Sequence, residues 1–180
     1  ADACGALVTL GGVLAFEPVA ARLHEGDRHV QEAAALALGR LDDPRAVELL
    51  LPLLTDRVHT VRQAACQALA ILGDVRAYEH VVRLLQEGDR RVRAAACHTL
   101  GHLRDPRAVE LLLERLPLER KFYDVRVAIY SALGQIGDAR ACELLIARMT
   151  EGSPTVRDAV FTALGDIGDA RAVLPILERH

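Results

Sequence analysis

Tryptophan is missing from this chain of 180 residues, lysine occurs once (Lys121, against 21 arginines), and only three phenylalanines and three tyrosines are present. Yet 51% of the residues are hydrophobic, so any core must be built from Leu, Ala, Val and Ile. Leu and Ala are strong helix formers, whereas strand-rich domains draw on β-branched and aromatic residues. The scarcity of aromatics therefore points to closely packed helices. The four cysteines, at 4, 66, 97 and 142, include no CxxC pair, which excludes a zinc ribbon or a thioredoxin motif. A reduced, cytoplasmic protein is the expectation. No 18-residue uninterrupted apolar run is present, so no membrane span is expected. The apolar first twenty residues lack the basic start of a signal peptide. A basic excess is lacking too: the net charge is −3, which argues against a nucleic-acid partner.

What is present is a repeat. Stretches beginning at Val30, Val61, Val92, Val125 and Val156 share one pattern, and the clearest copies read VRQAACQALAILGDVRAY, VRAAACHTLGHLRDPRAV, VRVAIYSALGQIGDARAC and VRDAVFTALGDIGDARAV. VQEAAALALGRLDDPRAV at 30–47 is a fifth copy, and residues 2–19 are a degenerate first copy anchored by Leu10-Gly11 and Val19. Each copy splits into two helices. In the first, Val92, Ala96, Leu100 and Leu103 recur at helical spacing on one face. Asp43, Asp74, Asp105, Asp138 and Asp169 then stand where an N-cap belongs, with Pro44 and Pro106 at the next position, where proline is tolerated. The second helix carries Leu pairs such as Leu49-Leu50 and Leu111-Leu112. One such hairpin cannot bury its apolar face, but stacked hairpins share a continuous core. The expectation is an all-α α-solenoid of the ARM/HEAT superhelix class: a single domain over 1–180, about six units (1–28, 29–59, 60–90, 91–123, 124–154, 155–180) and about twelve helices.

The VRxAA, ALGxIGD and DxRAV blocks resemble the HEAT-like repeats of the phycobilin lyase type, over essentially the whole chain. The resemblance implies that the first helices line a concave surface. It also implies an alternative function, attachment or chaperoning of a bilin, in which His98, His102, Tyr123 and Arg90 would meet the propionates and pyrroles. The HEAT-fold di-iron hydroxylases place His-Glu pairs at helix starts. Here His24-Glu25 falls at a helix end, and 79–80 runs Glu then His, so that pattern fails.

Residues that recur in every unit serve the unit. Arg62, Arg93, Arg126 and Arg157, the arginines at 45, 76, 107, 140 and 171, and the five aspartates read as a buried or half-buried Asp–Arg ladder tying one unit to the next. Cys66 and Cys97 share a core row with Ala35, Tyr130 and Phe161, and neighbouring helices about 8–10 Å apart keep them from forming a disulfide. Residues that differ between units carry individuality. Along the first helices these rows are mixed: Leu36, Gln67, His98 and Ser131 in one; Arg40, Ile71, His102 and Gln135 in the next; Glu32, Gln63 and Ala94 in a third. Arg90 and Arg91 make the middle of the face basic, while Asp124, Asp158 and Asp166 make its C-terminal end acidic. The loop LPLERKFYDVR is two residues longer than its counterparts and brings Phe122 and Tyr123 together, types favoured as interface anchors, although Phe122 is equally suited to folding back over the core.

No nucleophile–base pair, paired carboxylates or phosphate-binding glycine loop is evident. His98 and His102 lie one turn apart, but their neighbours Gln67, Ser131 and Gln135 are poor metal ligands. The expectation is a non-catalytic scaffold without a cofactor or metal, which holds a protein or peptide through Glu32, Leu36, Gln63, Gln67, Arg90, Arg91, His98, His102, Phe122, Tyr123, Ser131 and Gln135. The first helix is apolar nearly all round (Leu7, Val8, Leu10, Val13, Leu14) and the last stops early at Glu178-Arg179-His180. Both ends therefore suggest either a longer array or self-association through the terminal units.

Overall fold

The computed structural model describes residues 15–150 and 152–177. The degenerate first copy up to Leu14, Cys4, and the close of the last helix at 178–180 lie outside the described residues. Eleven α-helices follow one another without a strand among the described residues. Residues 15–21 are helical (α1). A long helix then alternates with a short one: α2 (Arg28–Arg40), α3 (Arg45–Leu50), α4 (His59–Leu72), α5 (Tyr78–Leu84), α6 (Arg90–Leu103), α7 (Ala108–Arg115), α8 (Tyr123–Ile136), α9 (Cys142–Arg148), α10 (Pro154–Ile167) and α11 (Val173–Leu177).

The long helices form because their apolar residues fall at i, i+3, i+4, i+7 and i+8, one stripe of a 3.6-residue helix. In α6 the stripe is Val92, Ala95, Ala96, Thr99, Leu100 and Leu103, all buried. Two of the long helices, α2 and α6, start at a capping aspartate. Asp27 and Asp89 accept the backbone N–H of His29 (2.8 Å) and Arg91 (2.7 Å), which satisfies donors that have no partner inside the helix. Three of the helices end at glycines in the left-handed region, Gly73, Gly137 and Gly168, as that stop favours. The turns after α2 and α6 reach the same region with Asp42 (φ 53°) and Arg104 (φ 51°) instead.

The short helices are shorter than the Leu pairs suggest. After α3 and α7 the chain tightens into 3-10 turns, Pro52–Thr55 and Leu116–Glu119, each with proline in its first positions. That proline lacks the N–H needed to continue an α-helical ladder.

The long helices stack side by side in one layer, α2 on α4, α4 on α6, α6 on α8 and α8 on α10. A repeated close approach fixes their register. A Cβ placed on Gly39, Gly101 or Gly134 would sit 2.7–2.8 Å from the Cα of Ala68, Ala132 or Ala163 respectively. Glycine near the end of one helix thus nests on alanine of the next at three of the four junctions between described long helices, which therefore run parallel.

The DxR blocks join the units differently from the expected buried Asp–Arg ladder: each aspartate pairs with the arginine of its own unit, the tie to the preceding unit is an Arg–Glu pair, and the arginines stay 45–59% exposed. Asp74 Oδ1 accepts the Arg76 backbone N–H at 2.9 Å and its carboxylate receives the guanidinium at 2.8–3.1 Å. The same guanidinium reaches back one unit, to Glu48 at 2.7 Å and to the Pro44 carbonyl at 3.2 Å. Arg45–Glu17, Arg107–Glu79, Arg140–Glu110 and Arg171–Glu143 repeat the backward pairing at 3.2–3.5 Å. Side-chain and backbone hydrogen bonds from the arginine hold all five aspartates below the usual carboxylate range, Asp169 at about 2.

Candidate functional site

The α4/α6 junction departs from this packing. The register places Ala70 of α4 where the other long helices carry glycine, and it faces Thr99 rather than alanine. A Cβ at that position of the other junctions would come within 2.8 Å of the neighbouring backbone, so the Ala70 methyl and the branched Thr99 have no room for the same close contact. Thr99 is fully buried, and its hydroxyl lies 3.0 Å from the Cys66 carbonyl and 2.8 Å from the Ala95 carbonyl. Over this junction lies an open hollow of about 630 Å³. Its walls are Leu36 and Arg40 from α2, Gln63, Gln67, Ala70 and Ile71 from α4, Arg91, Ala94, Ala95, His98, Thr99 and His102 from α6, and Asp124 at the start of α8.

Six of the twelve expected residues meet there: Leu36, Gln63, Gln67, Arg91, His98 and His102. His102 Nδ1 lies 2.9 Å from the His98 carbonyl, which orients its ring along the helix. Desolvation, with the neighbouring His102, holds the His98 imidazole below its ordinary pKa, so it is neutral at pH 7. Among the described residues, no three His, Cys, Asp or Glu side chains gather as metal ligands.

The other six lie outside the lining. Glu32 accepts a hydrogen bond from the Thr60 hydroxyl and lies 3.9 Å from His29. Arg90 differs from its expected role as a basic anchor. It donates to Asp124 at 2.7 Å, so the two charges expected to polarise the face cancel each other. Ser131 and Gln135 sit one junction further along, and Gln135 lines another hollow, of about 480 Å³, with Arg104, Gly134 and Asp166. Tyr123 is 58% exposed, with the Arg126 guanidinium 5.1 Å from its ring centre. Phe122 is 37% exposed and folds partly back, with Arg93 at 5.2 Å from its ring.

What anchors that longer loop escaped the sequence reading. Glu119 is fully buried. Its carboxylate accepts from Arg93 Nε (2.7 Å) and Nη2 (2.9 Å) and from Arg115 Nε (2.7 Å). Arg93 also donates to the Glu87 and Gly88 carbonyls. Burial alone would push the Glu119 carboxyl up, but the bonds from Arg93 and Arg115 outweigh it and hold the group below the ordinary glutamate value. A glutamate in a polar loop carries no signal of this. The only hint was the recurrence of an arginine at the Arg93 position in successive units. Cys66, Cys97 and Cys142 are free and buried, and burial pushes the Cys66 and Cys97 thiols up to about 12, which leaves them unreactive.

HEAT repeats match residues 16–91, 60–121 and 117–180. No curated protein matches the chain. Among solved structures, the complex of CpcE and CpcF of phycocyanin lyase from Nostoc sp. PCC7120 is similar at TM-score 0.76 and 24% identity, over 92% of this chain and 69% of that one. An engineered protein is similar at TM-score 0.61 and 22% identity, over 93% and 89% of the two chains. A designed armadillo repeat protein in complex with the peptide (KR)4 is similar at TM-score 0.61 and 16% identity, over 92% of each. At such identities the likeness is one of fold, an armadillo- and HEAT-type helical solenoid. No described helix is long and apolar enough to cross a membrane.

Proposed function

The chain belongs to the HEAT-repeat family, and from that premise we propose that it is a non-catalytic scaffold holding a protein or peptide partner in the hollow over α4 and α6. The observation that carries this reading is the hollow itself. It opens where Ala70 and Thr99 replace the glycine–alanine contact, and its walls combine apolar floor with amides, imidazoles and guanidiniums. Such mixed linings orient a partner by hydrogen bonds while burying part of its surface. The designed armadillo repeat protein that holds a peptide has a similar fold, which supports a peptide-sized occupant. A reduced, cytoplasmic setting is part of the reading, supported by the free buried cysteines.

A second reading, attachment or chaperoning of a bilin, is supported by the fold shared with the phycocyanin lyase complex and by two imidazoles and two guanidiniums around one hollow, groups suited to a tetrapyrrole's carboxylates. The two separate in one experiment. A random peptide library is selected on the immobilised chain, and bound peptides are mapped by amide hydrogen exchange. In parallel, a bilin is titrated while its visible absorbance is followed. The scaffold reading expects enriched peptides that protect α2, α4 and α6 and that lose binding to Gln67→Ala/His98→Ala. No enrichment, or protection elsewhere, overturns it. A saturable absorbance shift that the same substitutions abolish favours the bilin.

A further inference from the structure

We infer that the hollow takes an extended acidic segment of a partner protein, gripped toward its two ends by Arg40 and Arg91. This rests on the scaffold reading above and adds the chemistry of the partner.

The arginines of this chain mostly spend their charge internally. Those of the DxR blocks pair with aspartate in their own unit and glutamate in the preceding one, and Arg62, Arg90, Arg93 and Arg115 pair with Glu87, Asp124 and Glu119. Arg40 and Arg91 do not. Both are exposed, both line the hollow, and neither guanidinium has a described carboxylate within ion-pair distance. The nearest acid on the wall, Asp124, is taken by Arg90 at 2.7 Å. Asp89 accepts the Arg91 backbone N–H as the helix cap and lies close enough to feel the Arg91 charge, but its carboxylate is not within ion-pair distance of the guanidinium. In a protein of net charge −3, the hollow is thus a local positive site, and guanidiniums without partners are suited to carboxylates. The sign is opposite to that required for a peptide such as (KR)4.

The spacing sets the length. The glycine–alanine register places Arg40 about level with His98, some seven residues along the helix axis from Arg91. With a rise of about 1.5 Å per residue and two steps of about 8–10 Å between helices, the diagonal is on the order of 20 Å. An extended chain covers that in about six residues at about 3.3–3.6 Å each. Between the two cations stand Gln63 and Gln67, one turn apart on α4, whose amides each offer donors and an acceptor. They match the alternating N–H and C=O groups of an extended backbone, whereas a folded anionic surface would present neither. Two carboxylates about five or six residues apart on one strand-like segment meet both arginines at once.

The test uses three fluorescein-labelled twelve-residue peptides of one neutral framework. The first carries Glu at two positions five apart, the second Lys at those positions, and the third Gln. Binding to the full chain is measured by fluorescence anisotropy at low and at physiological salt. The expected result is binding of the Glu peptide at least tenfold tighter than of the Lys or Gln peptide, weakening as salt rises. Arg40→Glu/Arg91→Glu should reduce it at least tenfold, while Arg57→Glu/Arg83→Glu, the same net change away from the hollow, leaves it within about twofold. A circular dichroism melt of each variant confirms that it is folded; neither pair of arginines makes an ion pair whose loss would unfold it. If the Lys or Gln peptide binds as well as the Glu peptide and the hollow still protects, the charge inference fails and the scaffold reading stands. Binding of the Glu peptide that survives reversal of Arg40 and Arg91 overturns the placement. If no peptide binds and the library selection is also empty, both fail together.

Discussion

The two junctions on either side of α6 are built from the same repeat and do opposite things. On the α8 side, Gly101 lies against Ala132 closely enough that a methyl group would overlap it, and the loop beyond is locked by a buried carboxylate shared between Arg93 and Arg115. On the α4 side, Ala70 and Thr99 stand where the tight pair would be, and the surface opens into the hollow. Recurrence makes the solenoid; the departure from recurrence coincides with the hollow.

The comparison breaks most visibly at Glu119. Glu119→Gln leaves Arg93 and Arg115 without their counter-charge, and removing one partner of a buried ion pair costs about 3–5 kcal/mol. Urea denaturation should show that loss; a change under about 1 kcal/mol would mean that water reaches the network and the junction is not sealed. Next in size is the glycine contact. Alanine gains up to about 1 kcal/mol over glycine inside a helix, yet Gly101→Ala should destabilise by about 1–3 kcal/mol because its methyl has no room. Gly165, the corresponding glycine of α10, faces open space, so Gly165→Ala should stabilise by about 0.5–1 kcal/mol. Thermal melts of the pair decide whether close approach or propensity governs these positions.

A smaller gain is expected at Arg104. It occupies the left-handed stop that Gly73, Gly137 and Gly168 fill elsewhere, and a side chain there costs about 1–2 kcal/mol. Arg104→Gly should recover part of that, read as a raised melting temperature with the hollow's binding unchanged. Acid sharpens the comparison last. The folded values of Asp43, Asp74, Asp105, Asp138, Asp169 and Glu119 are all depressed. Each therefore contributes stability that is complete above its unfolded value, near 4, and is lost as pH falls through the folded one, near 2 for Asp169. His98, whose folded value is depressed as well, starts a shallow loss as pH falls below its unfolded value near 6.5, and the carboxylates add a steeper decline below about 4. Loss of the shallow limb in His98→Gln, with the steep limb kept, would assign the two to histidine and carboxylates; a single limb unchanged by that substitution would contradict the assignment.

The solenoid could be read from residues alone because its determinants are local and repeated. The Val-Arg-x-Ala-Ala stripe sets the buried face, Asp169 and its four counterparts cap, and Gly137 or Gly168 stops the helix. That Asp74, Arg76 and their counterparts serve the unit was legible for the same reason, whereas Glu48 as the partner of Arg76 across units was not. The candidate site was legible only in part. Gln63, Gln67, Arg91 and His98 differ from their counterparts and were noticed for that, and they share one hollow. Arg40 stood in the variable rows, yet nothing local marks it as a cation without a partner. Arg90 was misjudged because its counter-charge, Asp124, is 34 residues away. Ala70 and Thr99 were invisible as determinants, since a missing close contact is a property of two helices and not of either sequence stretch. Glu119 was hidden likewise, in a loop whose composition reads as solvent-facing.

The measurement that bears most directly on the origin of the site is calorimetric titration of a peptide selected on the parent into Ala70→Gly/Thr99→Ala, which restores the glycine–alanine contact at the α4/α6 junction and touches neither arginine. The expected result is a folded protein that binds at least tenfold more weakly, because α4 and α6 close over the hollow. Undiminished affinity in that variant would show that the departure from the repeat is not what creates the site.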